Sequence, residues 1–232
     1  MDNLTVIFDN VKRVREAIAC AAEESGRSAS DIRLIAAAKT KPAELIRQAV
    51  LAGVDAIGEN RVQELAQKRE QGAYENVPLH FIGHLQSNKV NKLVGVCDFI
   101  ETVSSKPLIE MIGKRAESLK LVQNVLIEVN IGREPQKSGV FPEYLEELLD
   151  LAAKTSGIYV QGLMCVPPFS GDSVRNCYFF DAMFNLFVDI RAKKYDNVSI
   201  QFLSMGMSDS YTDAIRAGSN VVRVGSAIFG TR

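Results

Sequence analysis

Ile32-Arg33-Leu34-Ile35-Ala36-Ala37-Ala38-Lys39-Thr40-Lys41-Pro42 is the stretch on which the fold turns. Ile32–Ala38 is a short, largely apolar run of strand length, and Pro42 then opens a helix through Leu51 that Gly53 ends. A doubly wound open sheet would normally carry a glycine-rich phosphate turn after its first strand. Lys39-Thr40-Lys41-Pro42 contains no glycine. That points away from the open sheet and toward a barrel.

The same beat runs outward from this segment. Upstream, Ile7, Val11, Val14, Ile18 and Ala22 recur at spacings of three and four, which predicts an amphipathic helix over about Leu4 to Glu24, closed by Gly26. Downstream, Val54–Gly58, Leu79–Gly83, Asp98–Val103, Val122–Asn130, Tyr159–Val166, Ser199–Met205 and Val221–Gly225 read as further strands. Helices are expected between them over about Arg61 to Arg69, Ser87 to Gly95, Pro107 to Leu119, Pro142 to Lys154, Ser173 to Lys193 and Asp209 to Ala217. A last turn spans Ala227–Phe229. Continuous apolar runs fit strands covered on both faces, and their alternation with helices implies parallel βαβ units. Eight such units in 232 residues average 29 each, close to a TIM-type (β/α)8 barrel, for which ~250 residues is typical. The expectation is an α/β protein: one barrel domain over residues 1–232 with an extra N-terminal helix.

Composition narrows the function classes. With 27 Lys+Arg against 28 Asp+Glu the net charge is −1, which argues against duplex nucleic acid or an anionic membrane as partner. No stretch reaches the roughly 18 uninterrupted apolar residues of a membrane span. The start, Met1-Asp2-Asn3, is wrong for a secretory signal. Cys20, Cys97, Cys165 and Cys177 lie far apart, with no CxxC and no Cys/His cluster. They read as thiols of a cytoplasmic protein without a metal site.

In a parallel barrel the active face lies at the carboxyl ends of the strands. Lys39 follows three alanines there, an arrangement that suits a partly desolvated amine able to form a Schiff base with an aldehyde. The seventh run ends in Leu203-Ser204-Met205-Gly206-Met207-Ser208 and the eighth in Arg223-Val224-Gly225-Ser226. Their hydroxyls and glycine amides suit an anion, and barrels often seat a phosphate at this spot. Alternation puts Val221, Arg223 and Gly225 on one strand face. An inward Arg223 would need a buried acceptor, whereas an outward one would be a structural ion pair. Asn60 either meets a ligand or caps the following helix. His84, near the predicted mouth, is an acid/base candidate or plain polar surface. Lys137 in the turn Lys137-Ser138-Gly139 touches an anion or is solvated, and Met164, Met183, Met205 and Met207 look like core or pocket lining.

Taken in order, Ala38-Lys39-Thr40-Lys41-Pro42, Gly58-Glu59-Asn60, His80-Phe81-Ile82-Gly83-x-Leu85-Gln86-x-Asn88-Lys89, Gly162-Leu163-Met164, Leu203-Ser204-Met205-Gly206-Met207-Ser208 and Val222-Arg223-Val224-Gly225 carry a resemblance. It runs from about Ile32 to Phe229. The chain resembles the pyridoxal phosphate homeostasis protein family, the YggS-type proteins, whose barrel is similar to the N-terminal barrel of alanine racemase. The resemblance implies that pyridoxal 5′-phosphate attaches to Lys39. It also implies phosphate binding by Ser204, Ser208 and the Gly225-Ser226 turn, with Met207 beside them in the same motif. Arg223 would face the pyridine nitrogen, and Asn60 would lie near the ring. One departure stands out: the family reads Gly-Met-Ser-x-Asp, whereas Ser208 is followed by Asp209 and then Ser210. Asp209 therefore reads as a helix N-terminal residue rather than a ligand.

Cofactor binding alone does not make an enzyme. The racemases add a second domain, whereas this sequence ends shortly after Phe229, so no second base is expected. An arginine opposite the pyridine nitrogen discourages its protonation and weakens the ring as an electron sink. The leading expectation is a monomeric carrier that holds the cofactor without robust turnover, acts in vitamin B6 and amino-acid balance, and hands the cofactor to apo-enzymes. No residue is assigned a catalytic role. The alternatives are a single-domain racemase with Lys39 and His84 as opposed bases, and a cofactor-free interaction regulator.

Overall fold

Period-2 alternation within each strand and period-3.6 patterning in each helix give the chain two cores. A computed structural model describes residues 3–168 and 173–230. Strands β1 (Arg33–Ala37), β2 (Ala56–Glu59), β3 (Leu79–Phe81), β4 (Phe99–Val103), β5 (Gln123–Glu128), β6 (Ile158–Met164), β7 (Val198–Ser204) and β8 (Val221–Val224) close into a parallel barrel in sequence order. The seam pairs Arg33 with Val221 and Ile35 with Arg223. Around it lie α1 (Asn3–Glu24), α2 (Ala43–Leu51), α3 (Val62–Glu70), α4 (Lys106–Ser118), α5 (Leu145–Ala153), α6 (Ser173–Arg191), α7 (Tyr211–Arg216) and α8 (Ser226–Phe229). The expected TIM-type barrel with an added N-terminal helix is what forms.

The larger core lies between strands and helices, built from residues such as Leu34, Ile57, Phe81, Ile100, Ile127 and Val222. A much smaller apolar cluster, Ile35, Ala56 and Val221 with Phe202 against it, fills the lower barrel interior. Helix α1 buries Ile7, Val11, Val14, Ile18 and Ala22 and packs on α2, α7 and α8. Each fully buried Val or Ile side chain there stabilises by about 1.5–3 kcal/mol. Just past its end, Arg27 donates to the Ile215, Gly218 and Ser219 carbonyls, which caps the last turn of α7.

Three local expectations differ from the fold. Ser87–Lys92 forms a 3-10 helix rather than an α-helix; its serine and asparagines compete for backbone partners, and Val90 is its one buried residue. Pro142–Tyr144 is a 3-10 turn ahead of α5. Helix α7 starts at Tyr211, two residues late, because Ser210 takes the N-cap position and its Oγ accepts from the Met207 amide at 3.2 Å. Asp209 therefore sits in the preceding turn and not in the helix.

Candidate functional site

The strands' carboxyl ends open on three adjoining cavities. One, of about 230 Å³, is lined by Lys39, Thr40, Lys41, Gly225 and Ser226. Another, of about 590 Å³, is lined by Asn60, His84, Glu128, Lys137 and Met164 among others. A small crevice between them and α6 has Arg223, Gly206 and Met207 in its wall. The sequence-derived residues thus gather at one mouth but divide among three recesses.

Lys39 stands on a braced turn. Thr40 adopts a left-handed φ of 62°, unusual for a β-branched residue, and its amide donates to Glu64 Oε2 at 2.9 Å. Beneath the turn, Lys68 Nζ donates to the Ala38 carbonyl at 2.9 Å and to Glu59 Oε1 at 2.7 Å, and the Tyr74 hydroxyl joins the same carboxylate. Burial pushes the Glu59 carboxyl upward even against these donors. Lys41 turns away to the Phe229 and Gly230 carbonyls, where it closes α8. Among the described residues no hydrogen bond or ion pair engages the Lys39 amine. It is also exposed, which corrects the expectation of a partly desolvated lysine: Ala36 and Ala38 pack into the core between strands and helices, and of the three alanines Ala37 alone lines the recess beside Lys39.

Ser208 Oγ accepts from the Gly225 amide at 3.0 Å and the Ala227 amide at 3.4 Å. Ser208 thus braces the Gly225-Ser226 turn, which lines one recess together with Lys39. Ser204 is a correction. It is fully buried, donates to Glu101 Oε2 at 2.6 Å and accepts from Arg223, so its hydroxyl belongs to the barrel interior and not to the Gly225-Ser226 turn. Met207 is 40% exposed at the crevice.

Arg223 points inward. Its guanidinium donates to Ser204 and, at 2.8 Å, to the Cys165 carbonyl, with Glu101 Oε2 3.9 Å away. The buried acceptor that an inward arginine requires is supplied. Below it, Glu101 Oε1 meets His80 Nδ1 at 2.6 Å, and His80 stacks on Phe99. Burial by itself would raise the Glu101 carboxyl, but His80, Arg223 and Ser204 outweigh it and hold it below the usual carboxylate range. Burial pushes the Cys165 thiol up to about 12, which makes it inert at neutral pH.

Asn60 does not cap α3: Arg61 is the N-cap, without a side-chain bond. Its Oδ1 is buried and unpartnered. Gly83 fixes its position, because a Cβ at residue 83 would lie 2.1 Å from the Asn60 carbonyl oxygen, so only glycine lets the two mouth segments touch. His84 is exposed on the rim. Lys137 bridges the mouth loops through Glu134 and the Pro167 carbonyl. Glu101, His80 and Glu128 were not among the sequence candidates; the available signal was a carboxylate interrupting an apolar run at an inward position.

A cofactor with a phosphate, an aromatic nitrogen and an aldehyde fits these groups: an unpartnered amine, a hydroxyl-and-amide turn in the same recess, an inward guanidinium and an orphaned carboxamide oxygen. Among the described residues no group of side chains with metal-ligand character occurs, and no helix is long and apolar enough to cross a membrane. Residues 8–232 match the alanine racemase N-terminal domain family. The pyridoxal phosphate homeostasis protein of Aquifex aeolicus is 39% identical and aligned over 97% of either chain. A protein from Bifidobacterium adolescentis, solved as an unknown, superposes with a TM-score of 0.93 at 36% identity, covering 99% of this chain and 97% of that one. PipY of Synechococcus elongatus, solved with PLP bound, gives 0.80 at 30% identity, covering 92% of this chain and all of that one.

Proposed function

Since the chain belongs to the pyridoxal phosphate homeostasis proteins of the alanine racemase N-terminal domain family, we propose that it binds pyridoxal 5′-phosphate at Lys39 and serves as a holder of that cofactor. The observation that carries the reading is the recess shared by the unpartnered Lys39 and the Gly225-Ser226 turn. When bound, the cofactor supplies an aldehyde that condenses with a primary amine. The chain's own groups then divide the work. Lys39 offers the amine from a braced base. Ser208 and Ser226 receive the phosphate at the Gly225-Ser226 turn, where the Gly225 amide fixes the Ser208 hydroxyl. Arg223 faces the pyridine nitrogen, with Ser204 setting its orientation, while Asn60 and Met207 border the ring.

Arg223 also argues for holding over turnover. A cation beside the ring nitrogen opposes its protonation and weakens the ring as an electron sink. The whole chain, residues 1–232, acts in this reading as one cytoplasmic, monomeric domain in vitamin B6 and amino-acid balance, handing its cofactor to apo-enzymes. The near-zero net charge supports a small-molecule partner over nucleic acid or an anionic membrane.

The test is chemical. Protein loaded with cofactor, reduced with borohydride and digested should carry the pyridoxyl mass on the Lys39 peptide. Lys39→Ala should lose the label while keeping its stability within about 0.5 kcal/mol, because an exposed lysine packs little. A label retained on Lys41 or another lysine would refute the assignment.

A further inference from the structure

The larger mouth cavity holds Glu128, which the cofactor reading leaves unused, together with Asn60, which that reading places at the edge of the ring. Among the described residues, Glu128 Oε2 and Asn60 Oδ1 are both buried oxygens without a hydrogen-bond partner, and both residues line the same space of about 590 Å³. Glu128 itself is only 6% exposed. Its Oε1 already accepts from the Ser138 hydroxyl at 2.8 Å. Two buried acceptors that lack donors are costly unless a ligand supplies the hydrogens.

We propose that this cavity binds a primary ammonium group on a short aliphatic stem, with Glu128 and Asn60 as its acceptors. The chemistry selects the ligand. Ser138 leaves one free carboxylate oxygen, which suits a compact ammonium with three divergent donors. A guanidinium would need both oxygens for its planar fork. Ile82, Met164 and Val166 give the cavity apolar wall for a stem. The protein's own nearby ammonium, Lys137, is held by Glu134 and the Pro167 carbonyl and does not reach Glu128 in its hydrogen bonds. Burial pushes the Glu128 carboxyl upward, opposed by Ser138 and by the charges of Arg223 and His84, and a bound cation reinforces that opposition. The ammonium's role as a seat for the amine that receives the cofactor rests on the reading above. The binding itself does not.

Two sources share this chemistry: the α-ammonium of a free amino acid, and a lysine side chain of another protein. The experiment titrates cofactor-free protein with n-butylammonium, followed by calorimetry and amide chemical shifts. Saturable binding is expected, at least about tenfold weaker in Glu128→Gln, as the loss of one charge-assisted hydrogen bond implies. The near-isosteric alcohol 1-butanol should not bind. Tighter binding of Nα-acetyl-lysine amide than of alanine identifies a protein lysine as the source, and the reverse identifies a free amino acid. Absence of saturable binding, or equal affinity in wild type and Glu128→Gln, overturns the proposal. Asn60→Leu, which removes the second acceptor, gives an independent reading with the same two outcomes. Since no cofactor is present, failure here leaves the Lys39 labelling result untouched, and failure of that labelling leaves this one untouched.

Discussion

Two buried glutamates on neighbouring strands show how differently one residue type behaves inside one barrel. Glu101 on β4 is fully buried and saturated: His80 and Ser204 each bond one oxygen at 2.6 Å, and Arg223 stands near. Glu128 on β5 is nearly as buried but has Ser138 on one oxygen and nothing on the other. The first carboxyl is held below its ordinary range and the second is pushed above it. Burial is common to both, so partners decide the sign. The saturated glutamate braces the barrel interior, and the half-satisfied one faces a cavity where a ligand can complete it.

The comparison can be broken most forcefully at Glu101. Glu101→Leu should cost about 3–5 kcal/mol, because it leaves Arg223 buried without its countercharge, as read from urea unfolding. A loss under about 1 kcal/mol would mean that the Ser204 and Cys165 oxygens suffice for the guanidinium. The pH dependence follows from the sign of the shift. A carboxyl lowered by folding stabilises above its unfolded pKa and loses that contribution as pH falls through the lowered folded value. The wild type should therefore lose stability on acidification below the usual carboxylate range, and Glu101→Leu should lose less over that interval.

Ser204→Ala comes next, at about 1–3 kcal/mol, because it strands one bond on each side of the hydroxyl; a neutral result would remove Ser204 from the role of orienting Arg223. The smallest effect has the opposite sign. Glu128→Gln should stabilise by on the order of 1 kcal/mol at neutral pH. A carboxyl raised by folding disfavours the native state above its folded pKa, and that penalty vanishes below the unfolded value. The gain should therefore disappear when the two proteins are compared in acid. Destabilisation by Glu128→Gln at neutral pH would show that the glutamate is as well satisfied as Glu101, and the contrast would fail.

Much of the fold was legible because strand and helix periods are local. Ile32–Ala38, Val122–Asn130 and Val221–Gly225 each contain the observed strand, and Gly26 ends α1 at a φ of 70°. Lys39 and the Gly225-Ser226 turn were legible through the position rule for barrel sites. The direction of Arg223 was not, since alternation fixes only which residues share a face, and closure of the barrel decides which face is inside. Glu101 stayed hidden for a related reason: its partner Ser204 lies 103 residues away, and only the ring of strands brings them together. Asn60 looked equally like a cap or a ligand group, and the position of Arg61 as N-cap removes the first of these.

The seam between β1 and β8 has a kinetic consequence. Lys39 follows β1 and Gly225 follows β8, so the recess they share straddles the point where the first strand meets the last. Contacts between such distant parts of a chain carry a loop-closure penalty and form slowly. An N-terminal fragment emerging during synthesis therefore presents Lys39 long before the Gly225-Ser226 turn exists. A ligand gripping both sides acts as a clasp on the completed ring, slowing its opening more than any local unfolding elsewhere.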